Sequence, residues 1–137
     1  MISNKEKDSI SDFGKQFKYH NNIDDYWGSQ EILKDIVNPF DLNLVKNKII
    51  CEIGVGSGRI LKNLIKLSPK KIYAIEPSEA IEIAKKNYGN RDIIFTKNEC
   101  TNTQLSDNSI DYIFALGLFD YIENIENVEH VENVEIV

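Results

Sequence analysis

The spacing of apolar residues changes character near Lys48. Upstream, "SQEILKDIVNPF" sets Ile32, Leu33, Ile36 and Val37 on one face of a helix before Asn38-Pro39 stops it. Residues 1 to about 20 are rich in Lys, Ser, Asn and Asp, so few apolar side chains offset the entropy of ordering them, and a disordered, frayed or weakly helical start is expected. Downstream, short apolar runs alternate with helix-period segments. "KIICEI" (48–53), "KIYAIE" (71–76), "DIIFT" (92–96) and "IDYIFALG" (110–117) read as strands. "RILKNLIKL" (59–67) clusters Ile60, Leu61, Leu64, Ile65 and Leu67 toward one side of a helix. "SEAIEIAKKNY" (78–88) opens on Ser78 as N-cap and closes at Gly89. This alternation predicts βαβ units, hence an α/β fold with a parallel sheet, right-handed crossovers and ligand space at the carboxyl ends of the strands.

A chain of 137 residues suits one domain, or part of one. Its most apolar stretch, Tyr112 to Phe119, is far too short to span a bilayer, and "MISNKEKDSI" lacks the apolar run of a signal peptide. A soluble, cytoplasmic protein with no membrane partner is expected. The formal charge of −6 is concentrated at one end: from Tyr121 onward there are five Glu (123, 126, 129, 132 and 135) and no Lys or Arg, which leaves a body near −1. Lys and Glu are interspersed over that body without a basic stripe, so nothing argues for nucleic acid. Cys51 and Cys100 lack metal-ligand spacing and read as small buried or half-buried side chains; no metal site is expected.

Chemistry concentrates where the first strand ends. In "CEIGVGSGR" the glycines Gly54, Gly56 and Gly58 are spaced GxGxG, and Arg59 stands where a dinucleotide fingerprint needs its third glycine. Glycines there let the backbone turn sharply and approach a ligand. Glu52, two residues before the first of them, would repel a pyrophosphate and attract an ammonium or sulfonium group. Glu76 ends the second strand, 20 residues past Gly56, where a carboxylate can accept hydrogen bonds from both hydroxyls of a ribose. That feature suits NAD and other adenosine ligands alike.

These residues, in this order, resemble the class I S-adenosylmethionine-dependent methyltransferases, whose glycine motif reads E/DxGxGxG at the end of the first strand. The likeness runs from about Lys48 to Ile122 through "CEIGVGSG", "IEPSEAIEIAKKN" and "NECTNTQLSDNSIDYIF", the last carrying an acidic residue after strand three and "DNSxD" leading into strand four. It implies S-adenosylmethionine as cofactor, a Rossmann-like three-layer fold of strand order 3-2-1-4 with N-terminal helices, and methyl transfer to a small-molecule acceptor whose identity is unknown. It further implies that Glu76 binds the ribose, that Glu99 accepts from the adenine amino group and that Cys100 offers its backbone N–H to the ring. Gly54, Gly56 and Gly58 would line the methionine end, with Glu52 nearby. Tyr26 and Trp27 fall where related proteins cover the cofactor, but core packing is the preferred reading of both. Asp120 and Tyr121 stand where relatives carry a His pair, His20 and His130 lie in unpromising segments, and no catalytic residue is assigned.

The family fold has seven strands and the pattern supplies four, so a chain truncated after about strand four is expected. Residues 21–122 would form a partial cofactor-binding domain between the polar segment 1–20 and a tail at 123–137. The tail, "ENIENVEHVENVEIV", repeats every three residues, which matches neither the strand period nor the helix period and predicts an acidic low-complexity segment. Strand four would then present an apolar edge, to be paired by the tail, by a second copy in a homodimer or by a separate partner chain. Three functions follow: a methyltransferase, a non-catalytic S-adenosylmethionine-binding module or remnant, and an interaction protein acting through the acidic repeat.

Overall fold

The computed structural model describes residues 4–19, 26–116 and 135–136. Its centre is a parallel sheet of β1 (Ile49–Ile53), β2 (Lys71–Ile75), β3 (Ile93–Thr96) and β4 (Tyr112–Phe114), in the order β3-β2-β1-β4. The register pairs Ile49 with Lys71 and Ile53 with Ile75 across β1 and β2, and Glu52 with Phe114 across β1 and β4. Asp111, the last residue of "DNSxD", pins β4 to β1: its carboxylate accepts from the Ile49 N–H and its own N–H donates to the Ile49 carbonyl, both at 2.8 Å. The two-residue strand β5 (Glu135–Ile136) runs parallel beside β4, opposite Tyr112 and Ile113. The far edge of β4 is thus taken there by the chain's own tail, while residues 123–134 of the acidic repeat lie outside the described residues.

Strand alternation sorts the core into two faces. On one, Ile50, Ile72, Ala74, Ile93 and Phe114 meet Leu33 and Val37 of α2 (Gln30–Val37), Leu61 and Leu64 of α3 (Leu61–Ile65) and Ala84 of α4 (Ala80–Tyr88). On the other, Cys51, Ile53, Ile75 and Ile113 meet Cys100, Leu105 and Ile110. The split follows from topology. Right-handed β1–β2 and β2–β3 crossovers put α3 and α4 on one face, and since β4 lies on the opposite side of β1, the β3–β4 connection must cross the other. Among the described residues it crosses as the loop 97–111, so the third layer is a loop rather than a helix.

Local signals act mostly as their chemistry requires. Ser29 caps α2 by accepting from the Ile32 N–H, and the Ser78 hydroxyl accepts from the Ala80 N–H at the start of α4. Gly89 ends α4 with a negative φ of −62°; its glycine is demanded by the Lys85 carbonyl oxygen, which a Cβ would approach to 2.5 Å. Ile36, expected on the buried face of α2, is 47% exposed, because the apolar arc of that helix is wider than the surface covering it. Where composition predicts a frayed start, the chain forms α1 (Asn4–Tyr19) packed on α4. The docking point is Gly14, a buried position that a count of apolar residues does not register.

Phe114 is fully buried, and its ring meets Phe40 edge-on at 5.9 Å. Replacing it with Ala should cost about 3–5 kcal/mol of stability, read as a lower urea midpoint. A loss below about 1 kcal/mol would show that the sheet does not close around this ring.

Candidate functional site

The site forms where β1 and β2 end side by side. After Ile53 the backbone stays tied to β2, because the N–H groups of Gly54 and Val55 both donate to the Ile75 carbonyl, at 2.8 and 3.2 Å. It then turns through Gly54, Gly56 and Gly58 with φ of 82°, 56° and 99°, the left-handed region that glycine adopts without a Cβ penalty. Glu76 closes this turn from β2. One carboxylate oxygen accepts from the Gly56 N–H and the other from the Ser78 N–H, both at 2.9 Å and buried. Each oxygen keeps a further lone pair, so the same carboxylate can still accept from a ligand hydroxyl. Gly58 has a second reason to be glycine: a Cβ there would lie 2.6 Å from the Tyr88 ring, so packing of α4 requires it whatever the loop holds.

Glu52 lies one residue before the end of β1, on the face it shares with Ile50. It is 4% exposed, and its Oε2 is buried without a hydrogen-bond partner. Burial holds its carboxyl well above the ordinary value; Arg59 opposes that shift and Glu76 reinforces it. A buried acceptor left unmatched is costly, and a cationic N–H donor entering the site would relieve it. The neighbouring Cys51 thiol is pushed up to about 12 by burial and then by the Glu52 charge, which makes it a packing residue; neither cysteine forms a disulfide.

Glu99 and Cys100 sit half-buried in the turn after β3, where the Glu99 carbonyl accepts from the Asn102 N–H. The Cys100 side chain packs on the second face of the sheet. Glu99 lines a cavity of about 350 Å³ with Pro77, Lys97, Asn98 and Asn102, and with Lys7 and Ile10 from α1. The structure thus gathers Glu52, the glycines and Glu76 at the ends of β1 and β2, and sets Glu99 at the end of β3 in a cavity that reaches Pro77, the residue after Glu76. Among the described residues, no group of three or more His, Cys, Asp or Glu could hold a metal ion.

Pattern reading missed Asn63. Fully buried on α3, its side-chain amide donates to the carbonyls of Gly28, Ser29 and Arg59 at 2.9, 3.1 and 3.4 Å, and the Gln30 side chain donates to its backbone oxygen. It ties the 3₁₀ turn Tyr26–Gly28 and the start of α2 to the helix behind the glycine loop. Its one sequence signal is a polar residue inside the run Leu61, Leu64, Ile65. Tyr26, expected in the core, is instead 45% exposed, because its hydroxyl donates to Asp35 at 2.7 Å on the surface. The side chain of Trp27 lies outside the described residues.

A family model described as a methyltransferase domain matches residues 51–131. No curated protein sequence matches the chain. Among solved structures, a protein assigned as an S-adenosyl-L-methionine-dependent methyltransferase from Methanococcus maripaludis superposes with a TM-score of 0.74 at 25% identity, over 98% of this chain and 63% of its own. Haemonchus contortus phosphoethanolamine N-methyltransferase 1, solved with phosphoethanolamine and S-adenosylhomocysteine, gives 0.66 at 20% identity, over 90% of this chain and 28% of its own. A SAM-dependent methyltransferase from Aquifex aeolicus gives 0.57 at 23% identity, over 74% of this chain and 55% of its own. This chain therefore spans less than two thirds of the length of each.

The state of Glu52 has a measurable consequence. Its raised native pKa means that the folded protein keeps a proton the unfolded chain has lost, so stability falls as pH rises above the ordinary value of 4.5. Glu52→Gln removes that loss. In paired urea titrations the variant should match wild type below about pH 4 and exceed it at neutral pH. Equal stability at both pH values would contradict a buried, unmatched carboxyl.

Proposed function

We propose, from the premise that this chain belongs to the methyltransferase-domain family, that it binds S-adenosylmethionine across the carboxyl ends of β1, β2 and β3 and directs its methyl group to a small-molecule acceptor. S-adenosylmethionine is the cofactor of this fold. In this reading residues 21–122 are the cofactor-binding unit and 123–137 an acidic tail, in a cytoplasmic setting. No helix among the described residues is long and apolar enough to cross a membrane.

The observation that carries the assignment is the buried, unmatched Oε2 of Glu52, whose residue lies in β1 two positions before the glycine turn begins at Gly54. It calls for a cationic donor and not for a phosphate, and the cofactor's methionine end offers an ammonium group. Glu52 would face that group beside Gly54 and Gly56. Glu76 would accept from the ribose hydroxyls with the lone pairs left over from Gly56 and Ser78. Glu99 would accept from the adenine amino group and the Cys100 N–H would meet the ring. When bound, the cofactor supplies a methyl group made electrophilic by its sulfonium. The chain's own residues bind, orient and exclude water, which is most of what an in-line transfer needs. Arrival of an ammonium favours the charged form of Glu52 and so opposes the upward shift that burial imposes on its carboxyl.

Calorimetric titration with S-adenosylhomocysteine should show binding in the micromolar range, about −7 to −8 kcal/mol. Glu76→Ala should weaken it by about tenfold or more, since it removes the ribose acceptor and frees the Gly56 amide. Absence of binding at about 1 mM ligand would overturn the proposal. Binding without turnover on any acceptor would leave a cofactor-holding module.

A further inference from the structure

One wall of the cavity at the ends of β2 and β3 comes from outside the sheet. Pro77, Lys97, Asn98, Glu99 and Asn102 form the sheet side, and Lys7 and Ile10 of α1 face them. Helix α1 reaches this position by packing on α4, and one residue sets how closely. At Gly14, within a 16-residue helix, an added Cβ would lie 3.2 Å from the Ser78 Cβ and 3.4 Å from its Oγ. Glycine costs a helix interior about 1 kcal/mol relative to Ala, so this contact, and not helix formation, accounts for the residue. Ser78 is itself held in place: its N–H donates to the Glu76 carboxylate, whose other oxygen accepts from Gly56. Helix α1 therefore docks on a residue that shares one carboxylate with the glycine turn.

We propose that α1 is a ligand-coupled wall of the cofactor site and that Gly14 is its positioning residue. The adenine end of the cofactor is held between Ile10 and the segment Asn98–Glu99, so bound ligand and docked α1 stabilise one another. The inference rests on the cofactor reading above and goes beyond it, because it assigns a specific contact to the polar N-terminal segment. Ile10 is half-buried and offers the cavity an apolar surface suited to a ring face, while Glu99 offers an acceptor at the ring edge. Lys97, on the sheet side, is paired with Glu79, leaving the cavity wall without a net cationic demand from that residue. Coupling of this kind is reciprocal: whatever docking adds to ligand affinity, the ligand adds to docking.

Two variants of the full chain separate the possibilities. Gly14→Leu improves helix propensity but cannot seat against Ser78, and Ile10→Ser keeps the Gly14 contact while removing the apolar wall. Each is measured by calorimetry with S-adenosylhomocysteine, by trypsin cleavage at Lys5, Lys7 and Lys15 with and without ligand, and by the thermal transition of the sheet. Wild type should show ligand-dependent protection of α1, and both variants should bind about tenfold more weakly and lose that protection with the sheet transition retained. If Gly14→Leu fails to fold, Ile10→Ser decides the matter by the same criteria. Variants that bind within about twofold of wild type would overturn the coupling and leave the cofactor reading standing. Wild-type protein that does not bind S-adenosylhomocysteine at all would remove both.

Discussion

Glu76, the residue after β2, has its carboxylate buried between two backbone amides, that of Gly56 on one side and that of Ser78 on the other. Hydrogen bonds to a carboxylate are among the stronger ones a protein makes, and these two join segments that would otherwise be independent loops. Through Gly56 the carboxylate fixes the turn that follows β1. Through Ser78 it fixes the start of α4, and through Ser78's contact with Gly14 it sets where α1 can lie. The ends of β1 and β2, the glycine turn and the N-terminal helix are thus registered against a single side chain. A ligand that also bonds to that carboxylate meets a site already held in shape.

Electrostatics gives the site its sign. The Glu76 carboxylate disfavours charge on Glu52, and Arg59 offsets part of that effect. Burial adds the larger penalty, so Glu52 is protonated over a wider pH range than an exposed carboxyl would be. A cationic ligand reverses the balance by supplying both the missing charge and the missing donor. The parallel sheet makes this economical: neighbouring β1, β2 and β3 point their carboxyl ends the same way, and Glu52, Glu76 and Glu99 lie at or just past those ends.

How much of this was legible depended on sequence distance. The parallel sheet could be read because short apolar runs and helix-period segments alternate locally, and Glu52 with Gly54 and Gly56 because a few adjacent residues carry their chemistry. Glu76 could be assigned from its position at a strand end, but its bonds to Gly56 and Ser78 could not, since they depend on register between two strands. The need for glycine at Gly58 is set by Tyr88, and the role of Asn63 by Gly28 and Ser29, partners that no local period reveals. Helix α1 leaves no local signal because its docking depends on an absent side chain, and the exposure of Tyr26 leaves none because a surface partner, Asp35, outweighs burial of its ring.

The function of the site depends on where the ligand touches the chain. Backbone amide spectra recorded while S-adenosylhomocysteine is added test this most directly. The amides of Gly54, Gly56, Glu76 to Ser78, and Glu99 to Cys100 should move together with one saturation curve, while those at the opposite ends of the strands, such as Lys48 and Lys71, stay in place. Saturable shifts confined to other surfaces, or none at the glycine turn and at the end of β2, would contradict it.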